Sequence, residues 1–108
     1  MKIGIILQSN NPEHVWNALR YSIALLKAGH AVTIMLFNEG VELEDIEDTE
    51  VFDLRAKLQE FKAQGGVMRA CKTCLHARDK QESKVCPVGT MEDLVRLTEE
   101  SDKIVTLC

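Results

Sequence analysis

Phosphate-binding glycine loops are absent from this chain: neither G-x-G-x-x-G nor G-x-x-x-x-G-K-[ST] occurs in its 108 residues. That excludes both a dinucleotide fingerprint and a P-loop. Positive charge is short too, with 13 Lys/Arg against 17 Asp/Glu and a net charge of −4. Phosphate backbones are gripped by basic surfaces, so nucleic acid is not expected as a partner. No apolar run approaches the length of a membrane span. The opening MKIGIILQSN holds one lysine and too short an apolar run for a signal-peptide core with its cleavage site. A cytoplasmic protein without a membrane span is expected. No repeat, low-complexity tract or linker breaks the chain, and its length suits one domain, 1–108, with a modest core. With 45% hydrophobic and 28% charged residues, the composition is that of a folded globule.

The hydrophobic pattern gives an alternation of strands and helices. Lys2 to Gln8 (KIGIILQ) is an isoleucine-rich apolar run ended by SNN, and Ala31 to Phe37 (AVTIMLF) is a second. Runs without polar alternation suit strands buried on both faces of a parallel sheet. Between them, Asn11 offers an N-cap and Pro12 the first helical position. Val15, Leu19, Ile23 and Leu26 recur at helical spacing, and Gly29 supplies the stop. Trp16 and Tyr21 read as helix packing. VELEDIEDTE, residues 41 to 50, interleaves six acids with Val41, Leu43 and Ile46. It reads as a solvated loop or short helix, or else as a flap or apolar edge used in subunit contact. From Thr49 a helix is predicted with Val51, Leu54, Leu58 and Phe61 on one face, closed by Gly65-Gly66. Val67 to Ala70 is a short third strand. Thr90 and Asp93 make a capping box for a helix whose Leu94, Val95 and Leu97 face inward. Lys103 to Leu107 is a last buried strand. The sum is a three-layer α/β fold, a mainly parallel sheet flanked by helices.

The stretch RACKTCLHARDKQESKVCPVG, residues 69 to 89, concentrates the chemistry: three of four cysteines, His76 and five basic residues. Ligand crevices in open α/β sheets lie beyond the carboxyl ends of the strands. Cys71 falls where the third strand ends and a short helix begins, and Cys108 follows the last strand along the same edge. A helix N-terminus and a local excess of positive charge between Arg69 and Lys84 both favour a thiolate. Three chemistries compete. Zinc would use Cys71 and Cys74 with His76 or Cys86, but a single C-x-x-C is half a zinc motif. A thioredoxin-like dithiol would need a proline facing the pair, and only Pro12 and Pro87 are available. The third is a reactive cysteine carrying sulfur as a persulfide. Set against all three, Cys86 and Cys108 are equally readable as small hydrophobes. Ser9, Asn10, Asn11 and Asn38 lie where they would line the crevice, though turn and cap roles explain them as well. His14 and His30 stand alone beside helix ends.

KIGIILQSNNPEHVWNALRYSIALLKAGHAVTIMLFNEGVE resembles the opening of the DsrE-like (YchN-like) proteins: strand, polar turn, long helix, and a strand ending in Phe before Gly-Val. ACKTCLHAR and, after a gap, GTMEDLVRLTEESDKIVTL resemble their second half, so the likeness covers essentially the whole chain. It implies a small α/β fold, assembly as a homo- or hetero-oligomer (for this chain a homo-oligomer, trimer or hexamer), and sulfur relay or sulfur oxidation, here relay between donor and acceptor proteins. It also implies that sulfur is held on the cysteine after the third strand, which by position is Cys71. Cys74, Cys86 and Cys108 are extra thiols relative to the simplest members. The candidate site residues are Cys71 and Cys74, with no cofactor expected. The alternative function is a metal- or redox-responsive thiol module using Cys71, Cys74 and Cys86.

Overall fold

The computed structural model describes residues 1–108. Five strands form one sheet: β1 (Lys2–Leu7), β2 (Ala31–Leu36), β3 (Val67–Cys71), β4 (Val88–Gly89) and β5 (Lys103–Leu107). Their order is β4-β3-β2-β1-β5, and every neighbouring pair is parallel. Parallel neighbours require crossovers, supplied here by α1 (Pro12–Lys27), α2 (Leu54–Ala63) and α4 (Met91–Glu100). A single short helix, α3 (Lys72–His76), stands at the carboxyl end of β3.

The two faces of the sheet are finished differently. Side chains alternate along a strand, and Ile3, Ile5, Leu7, Val32, Ile34, Leu36, Met68 and Ala70 all fall in one buried cluster. Val15, Leu19 and Ile23 of α1 and Leu54, Leu58 and Phe61 of α2 complete that cluster. On the opposite face, Gly4 lets α4 approach closely. A Cβ there would lie 2.9 Å from Ser101 Oγ and 3.1 Å from Leu97 Cγ. Yet α4 buries no residue completely.

Here the structure corrects the sequence reading. The Thr90–Asp93 capping box forms as expected, but Val95 points outward and is 52% exposed, with Met91 at 62%. Leu94 and Leu97 are only half-buried. β5 is not a buried strand but an edge strand paired only with β1, and no residue in it is fully buried. Both segments are apolar enough for a core; the edge position leaves them half covered.

The second helix begins at Leu54, not Thr49. Residues 49–53 are held as a turn: Phe52 N donates to Thr49 Oγ1 at 3.0 Å, and Trp16 Nε1 donates to Asp53 at 2.8 Å. The Phe52 ring packs edge-on against Trp16, with centroids 5.4 Å apart. Val51 is left exposed outside the helix. Trp16 packs as expected, whereas Tyr21 is exposed.

The acidic stretch is a 3₁₀ segment, Asn38–Asp45, with Val41 and Leu43 buried and Ile46 half-buried. Val41 and Leu43 are built into the chain's own core, and Ile46 stays partly uncovered at its margin. Gly40 makes this possible, because any Cβ there would collide with the Leu7 carbonyl oxygen.

Candidate functional site

The carboxyl edge of the sheet collects Gln8 after β1, Asn38 after β2, Cys71 at the end of β3 and Cys108 after β5. Cys71 is 7% exposed; it is the last residue of β3 and the residue from which α3 starts. One turn on, Cys74 is half-buried, near enough for the Cys71 thiol to help raise its pKa. Both are free thiols.

The Cys74 sulfur accepts the Asn38 backbone N–H at 3.3 Å. Asn38 adopts a left-handed backbone (φ 51°), a conformation asparagine tolerates better than most residues, which aims that N–H into the site. Its side-chain amide donates to Gln8 Oε1 at 2.9 Å, and Gln8 Nε2 in turn contacts Cys108 Sγ at 3.8 Å. A polar chain thus runs along the edge from Cys74 to Cys108. The Cys74 pKa is raised, first by burial and further by the neighbouring Cys71 thiol; the Asn38 N–H and Arg78 oppose the rise.

The positive charge expected to favour a thiolate is partly spent on the acidic 3₁₀ segment. Arg78 Nε pairs with Glu42 at 2.8 Å while its Nη1 donates to the Cys74 carbonyl at 3.1 Å. Lys80 pairs with Asp45, and the Ser83 hydroxyl donates to Glu44 at 2.5 Å. These bonds strap α3 and the following loop across the 3₁₀ segment, fixing Cys74 from both sides.

Cys86 belongs elsewhere. It is 5% exposed, its thiol meets the Met68 sulfur at 3.5 Å, and its pKa is pushed up to about 12 by burial and then by Glu44. No three His, Cys, Asp or Glu side chains converge as a metal-ligand set. The three-thiol set of Cys71, Cys74 and Cys86 is therefore not assembled, because Cys86 is committed to the core. His76 is exposed.

Asn11 is the cap that the sequence suggested, accepting from Glu13 N at 3.0 Å and His14 N at 3.2 Å. His14 does not stand alone: it hydrogen-bonds Ser9 Oγ at 3.0 Å and lines a shallow groove with Tyr21 and Cys108. Gln8 was missed. Its signal was slight, the first polar side chain after the apolar run of β1.

The molecule is thus a parallel α/β sheet flanked by helices, with Cys71 and Cys74 at the carboxyl end of β3. The family model of the DsrE/DsrF-like family matches residues 1–107, and the chain belongs to that family. Among its relatives, an uncharacterized protein of Methanocaldococcus jannaschii is 31% identical over 113 residues, covering 98% of this chain and 99% of its own. An uncharacterized protein of Methanopyrus kandleri is 32% identical over 98 residues, covering 86% and 81% respectively. The crystal structure of the ychN protein from E. coli superposes with a TM-score of 0.86 at 25% identity, covering 99% of both chains.

Proposed function

We propose that the chain is a sulfur carrier that holds sulfur as a persulfide on Cys71, with Cys74 as its partner thiol. The observation that carries this reading is the placement of the two thiols one helical turn apart at the sheet's carboxyl edge, where Cys74 is held by the Asn38 N–H and Cys71 ends β3. Family membership supports it, since sulfur-relay proteins belong to the same family.

In the loading step the Cys71 thiolate attacks the outer sulfur of a donor persulfide. A new S–S bond forms on Cys71, the donor's S–S bond breaks, and the donor leaves as a thiolate. Transfer onward repeats the exchange: an acceptor thiolate takes the outer sulfur and Cys71 departs as a thiolate, with no net oxidation. When Cys74 attacks the inner sulfur instead, a Cys71–Cys74 disulfide forms and hydrosulfide leaves, and a thiol reductant must then reset the pair. Free thiols fit a reducing, cytoplasmic setting. No helix is long and apolar enough to cross a membrane.

The same reading makes the protein a homo-oligomer, a trimer or hexamer, working with donor and acceptor proteins. Its support is the thinly covered α4 face, where Met91, Val95, Ile104 and Val67 remain exposed. Sulfur loading from a persulfide donor tests the function: Cys71→Ser should abolish it, and Cys74→Ser should load but release slowly. Loading that survives Cys71→Ser would sink the proposal.

A further inference from the structure

A groove of about 410 Å³ opens away from the thiol pair, between the 3₁₀ segment, α2 and the loop before Cys86. Leu43 and Ile46 form one wall, Leu54 and Leu58 on α2 the other, and Val85 joins them. Leu54 and Leu58 are four residues apart and so share one helix face. That volume and that apolar lining are those of a site for a small organic ligand.

The polar groups on its rim are unevenly committed. Arg55 and Lys62 line the groove seven residues apart on α2, about 10 Å along the axis. Neither takes part in an ion pair; the cations that do are Lys27, Lys57, Arg78, Lys80 and Arg96. The acid on the lining, Glu44, already accepts the Ser83 hydroxyl at 2.5 Å. Glu44 and Lys62 both act on Cys86, which places them toward the same end. At the other end the Arg55 guanidinium makes no ion pair, and the nearby Asp48 carboxylate is taken by the Arg55 backbone N–H at 3.2 Å. In a chain of net charge −4, two uncommitted cations above an apolar wall complement an anion with an apolar body.

The geometry points to a binding site for a small amphiphilic carboxylate. Its hydrocarbon lies along Leu43, Leu54, Leu58 and Val85, and its carboxylate is taken by Arg55. A guanidinium fits the role because its fork matches the two carboxylate oxygens. Lys62 attracts the anion from a distance, but Glu44 makes its end the poorer seat for the head group.

The test titrates the full chain calorimetrically with decanoate, with decanol and decyltrimethylammonium as probes carrying the same hydrocarbon. Decanoate should bind one equivalent, decanol more weakly, and the cation not measurably. Arg55→Gln should weaken decanoate about tenfold, down to the level of decanol. Its melting temperature should stay unchanged, because Arg55 is exposed and unpaired. Cys71→Ser should bind decanoate like the parent, so this site and the sulfur-carrier reading stand or fall separately. Absence of decanoate binding, equal affinity for decanol, or full affinity in Arg55→Gln would each overturn the assignment.

Discussion

Cys74 and Cys86 lie twelve residues apart in one cysteine-rich stretch, and burial raises the pKa of both, yet the fold gives them different surroundings. Cys74 stands at the crevice edge, half-buried, beside a second thiol and under a backbone N–H. Cys86 lies in the core against Met68, with Glu44 nearby and a pKa of about 12. Burial beside a carboxylate withholds the Cys86 thiolate, whereas Cys71, although also only 7% exposed, ends β3 at the crevice edge one turn from Cys74. Crowding of cysteines in sequence is therefore no guide to a shared task. What sorts them is which thiol meets a donor group and which meets hydrocarbon.

The largest expected effect breaks the comparison outright. Cys71→Ser should eliminate sulfur transfer to an acceptor thiol, while Cys86→Ala should transfer at the parental rate, measured with labelled persulfide. Equal loss in both variants would mean that the core thiol is part of the site.

Alkali sharpens the contrast next. The Cys86 pKa is raised from an ordinary 9.0 to about 12, so the folded state disfavours its thiolate. Stability from the neutral thiol is complete below pH 9, and it is lost as pH climbs from there toward 12. The full loss amounts to about 4 kcal/mol, at 1.36 kcal/mol for each pKa unit. Cys86→Ala should cost about 1–2 kcal/mol at neutral pH for the contacts removed. Its denaturant midpoint should then fall less steeply than the parent's between pH 9 and 11. Parallel pH profiles would contradict the buried-thiol assignment.

A subtler probe concerns the straps that hold Cys74. Glu42→Gln removes the partner of Arg78 and should cost about 1 kcal/mol or less, because the pair is partly solvated. It also frees Arg78 to act on Cys74, so alkylation of Cys74 should quicken while that of Cys86 does not change. Val95→Glu, on the other face of the sheet, should leave all thiol rates alone and reduce the molar mass seen by light scattering. An unchanged mass would remove the α4 face as the assembly surface.

Much of this architecture was legible because local chemistry and tertiary fold agree. The apolar runs of β1 and β2, the Asn11-Pro12 start of α1 and the Thr90–Asp93 box each carry their own structural instruction. The position of Cys71 at the end of β3 was legible for the same reason. What escaped depends on partners far away in the chain. Val95 and Ile104 look like core residues, and only the edge position of β5 exposes them. Arg78 and Lys80 read as free positive charge until acids some 36 residues earlier are folded against them. Asp53 and Phe52 stop the second helix short by engaging Trp16, which no local propensity announces.

On the sulfur-carrier proposal, Cys71 holds the added sulfur and Cys86 does not. Trypsin cuts after Lys72, so Cys71 and Cys74 leave in separate peptides, and Cys86 in a third. Native protein exposed to a persulfide donor, alkylated, digested and read by mass spectrometry should carry one added sulfur on the Cys71 peptide and none on the Cys86 peptide. Added sulfur on the Cys86 peptide, with the Cys71 peptide unmodified, would contradict the account.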